Sequence, residues 1–262
     1  MKNSRIPLAD LQRSVKGARD LPESTLASVQ NYLFRFGFVL QKEAGVDAFT
    51  IALERFREYY AESYSLKASL NGGPPIDESV LRVMGLGQCG LFRFDQVVSR
   101  AADMQAGKPV VCKWNKKNLK YKLGAGIPGS NGDELIAVQA MLDKWQGLGR
   151  VSFAVDDTSP DFEVAWKTAD QDFDMTGVTI AHAGIPNCSS FPIPLPLHFD
   201  NEETWGGIGY NINGVALHEI GHILGLFDSP TPGTVMHHVF MQPEPDRQFA
   251  KEDQDELALR YP

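Results

Sequence analysis

The stretch "ALHEIGHILGLFDSPTPGTVM", residues 216–236, constrains this chain more than any other. Its apolar positions Leu217, Ile220 and Leu224 recur at helical spacing and predict a helix anchored on the core by that face. Residues four apart on a helix sit nearly one above the other, so His218 and His222 can present imidazole nitrogens to a single ion. Glu219 lies about 100° further round, badly placed to be a ligand but able to reach a water on that ion. Two neutral imidazoles suit Zn²⁺, which lowers the pKa of its bound water to about 7, and the glutamate can take that water's proton and hand it to a leaving amine. A catalytic zinc keeps three protein ligands and one open position. Gly225 can take the left-handed conformation that ends a helix, so that the chain swings back and offers Asp228 as a third, anionic donor. A carboxylate there would neutralise part of the ion's charge and raise the pKa of the bound water. His237 and His238, beyond Pro230 and Pro232, are rival third donors.

Upstream the pattern divides. Residues 1–20 are expected to be a disordered N-terminal segment, and residues 21–84 read as three short helices. The first carries Leu26, Val29, Leu33 and Phe36, and the second Ile51, Leu53, Phe56 and Tyr60. The third, "IDESVLRVMG", has Asp77 as its N-cap and Gly85 as its stop. "NGGPP" at 71–75 breaks the second from the third. Residues 85–110, with Gly85, Gly87, Gly90, Gly107 and Pro109, read as an extended linker. From 111 to 262 strands mix with helices. "LKYKLG", "VSFAVDD", "FEVAWK", "GVTIAHAG" and "LPLHFD" are strand-like. "GDELIAVQAMLDKWQGLG", with Leu135, Val138, Leu142 and Trp145 on one stripe, is helical, as is the closing "EDQDELALRYP". This predicts an α+β domain whose sheet packs on the first long helix.

Composition excludes some classes. A net charge of −8 argues against a nucleic-acid partner. No apolar run approaches the roughly 20 residues that span a bilayer. The N-terminus has no apolar h-region, so no secretory signal is visible. The three cysteines, Cys89, Cys112 and Cys188, allow at most one pair and leave one thiol over. Cys112 and Cys188 can pair or stay free.

The helix motif followed by Met236 in a tight turn resembles the metzincin clan of zinc peptidases. Within it, "LHFDNEETW" (197–205), "FDMTGVTIAHAG" (173–184), "KWNKKNLKYKL" (113–123) and "IDESVLRVMGLGQCG" (76–90) are similar to segments of the matrixins, the matrix-metalloproteinase family. The resemblance implies a metzincin-type catalytic domain, a twisted mixed sheet with long helices, at 111–262. It also implies a three-helix prodomain similar to a peptidoglycan-binding module at 21–84 and an activation linker at 85–110, where Arg100 and Lys108 are basic cleavage candidates. Carried onto this sequence, it implies catalytic zinc on His218 and His222, Glu219 as base, and Met236 as the hydrophobic floor. It further implies a second zinc on His182 and His198, with Asp170 or Asp172 as substitute donors, and calcium on Asp174, Asp200 and Glu203. Cys89 would be a latency ligand, its thiolate filling the open position. Members of the family carry Pro-Arg before that cysteine, where this chain has Gly87-Gln88, and His where it has Asp228; the snapalysins resemble it in having Asp.

The expected function is a zinc endopeptidase made as a zymogen. Its protein or peptide substrates would lie extended beside the strand containing "GVTIAHAG". The resemblance implies an extracellular location, with an intracellular one left open, and glycan or cell-wall binding by the helical prodomain. An alternative is a non-catalytic protein with a closed Cys89, His218, His222, Asp228 zinc site. Glu219 speaks against it, since a structural site has no use for a base.

Overall fold

The computed structural model describes residues 6–39, 45–64, 66, 76–90, 92–107, 111–168, 178–243 and 245–262. The chain divides into two compact units, residues 1–86 with 93–107, and residues 87–92 with 108–262.

The first unit holds α1 (Leu8–Ser14), α2 (Glu23–Arg35), α3 (Val46–Tyr64), α4 (Glu78–Met84) and α5 (Phe94–Gln105). Leu26, Val29, Leu33, Phe36, Leu53, Phe56 and Tyr60 are buried, whereas Ile51 is exposed and Phe49 and Ala52 face inward in its place. Asp77 caps α4 by accepting the Val80 N–H at 3.0 Å, and Gly85 ends it. Two expectations are corrected. Residues 8–14 are helical rather than disordered, held by fully buried Leu11, and so short a helix shows no apolar period. The supposed linker contains a three-residue strand, Gly87–Cys89, and the helix α5, whose Phe94 ring stacks on Phe38 with centroids 4.8 Å apart. The glycines on either side made this stretch read as linker.

Among its described residues the second unit is a mixed seven-stranded sheet with three helices. Its strands are β1 (Gly87–Cys89), β2 (Asn118–Leu123), β3 (Ser152–Val155), β4 (Phe162–Lys167), β5 (Thr179–Ala183), β6 (Leu195–Asp200) and β7 (Val239–Phe240), in the order β3-β2-β4-β6-β5-β1-β7. The pairs β2–β3, β2–β4, β4–β6 and β1–β5 are parallel; β5–β6 and β1–β7 are antiparallel. The α+β expectation with a mixed sheet holds. Helices α6 (Asp133–Gln146), α7 (Ile212–Ile223) and α8 (Lys251–Arg260) complete the unit. Val138, Leu142 and Trp145 of α6 are buried, and the Trp145 indole N–H donates to the Leu217 carbonyl of α7 at 2.9 Å. That bond ties the first long helix to the one carrying the histidine pair. Cys112 and Cys188 form a disulfide, with Cα atoms 5.8 Å apart. No described helix is long and apolar enough to cross a membrane.

Candidate metal centre

Helix α7 begins at an Asn211 cap, whose side chain accepts the Asn213 N–H at 3.0 Å, and every residue from Gly214 to Ile223 is buried. It stops at Gly225, whose φ of +90° suits glycine. The Leu226 N–H returns to the Gly221 carbonyl at 2.9 Å and the Gly225 N–H to His222 O at 2.8 Å, which closes the helix end. A Cβ at residue 225 would strike the Cys112 carbonyl, so glycine is required twice over. The Arg260 Nε donates to the Gly225 carbonyl at 2.7 Å and fixes the turn.

The chain then brings Asp228 back, with Oδ1 3.3 Å from His218 Nε2 and 3.5 Å from His222 Nε2. His218 Nδ1 bonds the Val235 carbonyl at 3.0 Å and His222 Nδ1 the Leu226 carbonyl at 2.9 Å. A carbonyl only accepts, so each Nδ1 carries the ring proton and each Nε2 presents a lone pair. Those two lone-pair nitrogens lie 3.0 Å apart. Cys89 Sγ, from β1 and fully buried, lies 3.3 Å from His222 Nε2. The four donor atoms all lie within 4.8 Å of one another, and among the described residues no other such group of histidine, cysteine and carboxylate donors occurs. Donors about 2.0–2.3 Å from a tetrahedral ion are about 3.3–3.8 Å apart, a range that the Asp228–His218, Asp228–His222 and Cys89–His222 separations of 3.3, 3.5 and 3.3 Å meet. Two facing lone pairs repel unless a proton or a cation lies between them. Burial also favours neutral imidazole at His218, lowering its pKa to about 4.

Glu219 is fully buried, with the Cys89 thiol beside its carboxyl group. Burial pushes its pKa up to about 7 against the pull of His222. Met236 lies under the helix, where a Cβ on Gly221 would collide with its sulfur. His237 and His238 do not join the donor group, and the His238 ring stacks on Phe92 with centroids 3.6 Å apart. The helix turn therefore delivers Asp228 and not a later histidine.

His182 and His198 stand opposite each other across β5 and β6, with ring centroids 5.3 Å apart. Asp200 ends β6 and accepts the Glu202 N–H at 2.8 Å; the Glu203 carboxyl is raised first by burial and then by Asp200 and Glu202. Asp170, Asp172 and Asp174 lie outside the described residues.

Two residues near the centre have no sequence signature. Asp253 receives the N–H groups of Val235 at 3.0 Å, Met236 at 3.2 Å and Ala250 at 2.8 Å. Arg247 holds carbonyls of the same 235–239 segment. The strand "GVTIAHAG" is not open at the edge: β1 lies along it in parallel, with Gln88 N–H bonded to Val178 O at 2.7 Å and Gly90 N–H to Ala181 O at 2.8 Å.

A His-Glu-x-x-His helix, a reversed turn that returns a third donor and a methionine beneath define the class of metal centre. Residues 113–261 match the family profile described as Matrixin, and the chain belongs to the matrixin family. It is 28% identical over 258 residues to Matrix metalloproteinase-18 of Xenopus laevis, covering 93% of this chain and 51% of that protein. It is 32% identical over 146 residues to Matrix metalloproteinase-26 of Homo sapiens, covering 52% and 54%. It is 28% identical over 240 residues to Metalloendoproteinase 1-MMP of Arabidopsis thaliana, covering 82% and 62%. The chain thus spans 51–62% of the length of these three relatives.

Proposed function

We propose that this chain is a zinc-dependent endopeptidase held latent by Cys89. The observation that carries this reading is a fully buried carboxyl group, Glu219, beside four converging metal-type donors. His218, His222 and Asp228 would hold the zinc, and Cys89 would fill its remaining position until it is withdrawn. When bound, zinc supplies Lewis-acid polarisation of a carbonyl and acidifies water. Glu219 takes the proton of the attacking water and returns it to the leaving amine nitrogen. Strand β1 covers the β5 edge along which an extended substrate would pair, so release of residues 87–92 uncovers both the edge and the centre. Asp228 adds negative charge where typical members carry a neutral imidazole. Protein or peptide substrates follow from the family, and the disulfide supports an oxidising, extracellular location. A structural zinc on His182 and His198 and calcium on Asp174, Asp200 and Glu203 complete the proposal; glycan binding by residues 21–84 rests on analogy.

The test is Glu219→Ala in a chain freed of residues 1–110. Loss of a general base is expected to slow peptide cleavage by about 10²–10⁴-fold. Unchanged cleavage refutes the reading. If the site is instead a closed structural one, zinc binds at one equivalent and no cleavage appears before or after removal of Cys89.

A further inference from the structure

We propose that Arg247 is a positioning residue that orients His218 and holds the segment 235–239, an inference that rests on the zinc-site reading above. Arg247 belongs to the irregular segment before α8 and is half-buried. Its Nη1 donates to the Val235 carbonyl at 2.9 Å and to the His237 carbonyl at 2.5 Å, and its Nη2 to the Val239 carbonyl at 2.6 Å. One planar fork thereby ties three alternate carbonyls of the segment that leads from Met236 into β7. An ammonium group is a single point charge and cannot reproduce that fork.

The Val235 carbonyl is the junction. It also receives the His218 Nδ1 proton at 3.0 Å, so its two lone pairs serve the imidazole and the guanidinium together. Where that oxygen sits decides how the His218 ring is turned. A second route leads to the same ring: the guanidinium carbon lies 4.2 Å from the centre of the Phe240 ring, which meets the His218 ring edge-on at 5.3 Å and 84°. Asp253 fixes the opposite, N–H side of Val235 and Met236. Arg247 is thus the carbonyl-side half of a clamp that holds the floor of the centre and the strand bordering β1. Groups that orient a metal-binding imidazole govern affinity as well as geometry, commonly by 10–100-fold.

The experiment uses the full chain, stripped with a chelator and titrated with zinc against a chromophoric competitor. The visible spectrum of the Co²⁺-loaded protein and thermal unfolding in chelator are recorded alongside. Arg247→Ala and Arg247→Lys are both expected to weaken zinc binding about 10–100-fold and to shift the Co²⁺ bands. If Arg247→Ala does not fold, Arg247→Lys, which keeps the charge and the stem, decides. Wild-type affinity with an unchanged Co²⁺ spectrum in Arg247→Lys overturns the proposal, as does lowered stability of the metal-free protein with the spectrum intact. If wild type binds zinc and the variants match it, this inference alone fails. If wild type takes up no zinc, the zinc-site reading fails and this inference with it.

Discussion

Replacing both Cys112 and Cys188 by alanine opens a loop of 76 residues in the metal-bearing unit. In the chain-entropy account, closing a loop of that length removes about 4.5 kcal/mol of disorder from the unfolded state at 25 °C. The link also has a local partner, since the Cys112 carbonyl packs against Gly225 at the end of α7, and Asn187 donates to the Lys113 carbonyl at 2.7 Å. All four tryptophans, Trp114, Trp145, Trp166 and Trp205, lie in the second unit, so their fluorescence follows that unit without interference from the first. With a urea slope of about 2–3 kcal/mol per molar, the midpoint should fall by about 1.5–2.3 M. Reductant added to wild type should reproduce the fall and leave the double variant unaffected. Denatured, non-reduced wild type should show a single titratable thiol, that of Cys89. A midpoint unmoved both by the double substitution and by reductant refutes the reasoning.

Two more expectations concern the site. Gly221→Ala drives a Cβ into the sulfur of Met236 and leaves Trp145 Cζ2 only 3.3 Å away, so overpacking should cost about 1–3 kcal/mol, read as a lower urea midpoint and an altered Trp145 emission; unchanged stability would show that Met236 does not press on the helix. Cys89, fully buried beside His222, should resist iodoacetamide in the zinc-loaded full chain and react at least about tenfold faster once chelator removes the ion; equal rates would remove it from the ligand set.

The histidine pair, the glutamate between them and the glycine stop were legible because each follows from local helix geometry. Spacing of four stacks His218 on His222, and glycine marks the left-handed cap. Asp228 was legible as the expected third donor, ahead of His237 and His238, but the position of its carboxylate was not. That depended on a turn fixed by Arg260, a residue 35 positions from the carbonyl it holds. The short helix α1 escaped notice because one buried leucine gives no clear period, and the helix α5 because the glycines around it read as a linker.

By itself, the sequence determined the helix, the chemistry of its polar face and the alternation of strands, all properties of residues within a few positions of one another. The tertiary structure alone decided that Cys89 reaches His222 across 133 residues, that β1 covers β5, and that Arg247 and Asp253 grip the two sides of the segment under the centre. The reason is that such meetings depend on sheet order and on backbone groups. Every residue carries the same carbonyl and, proline apart, the same N–H, so nothing in the side-chain pattern announces which ones a distant arginine or aspartate will bind.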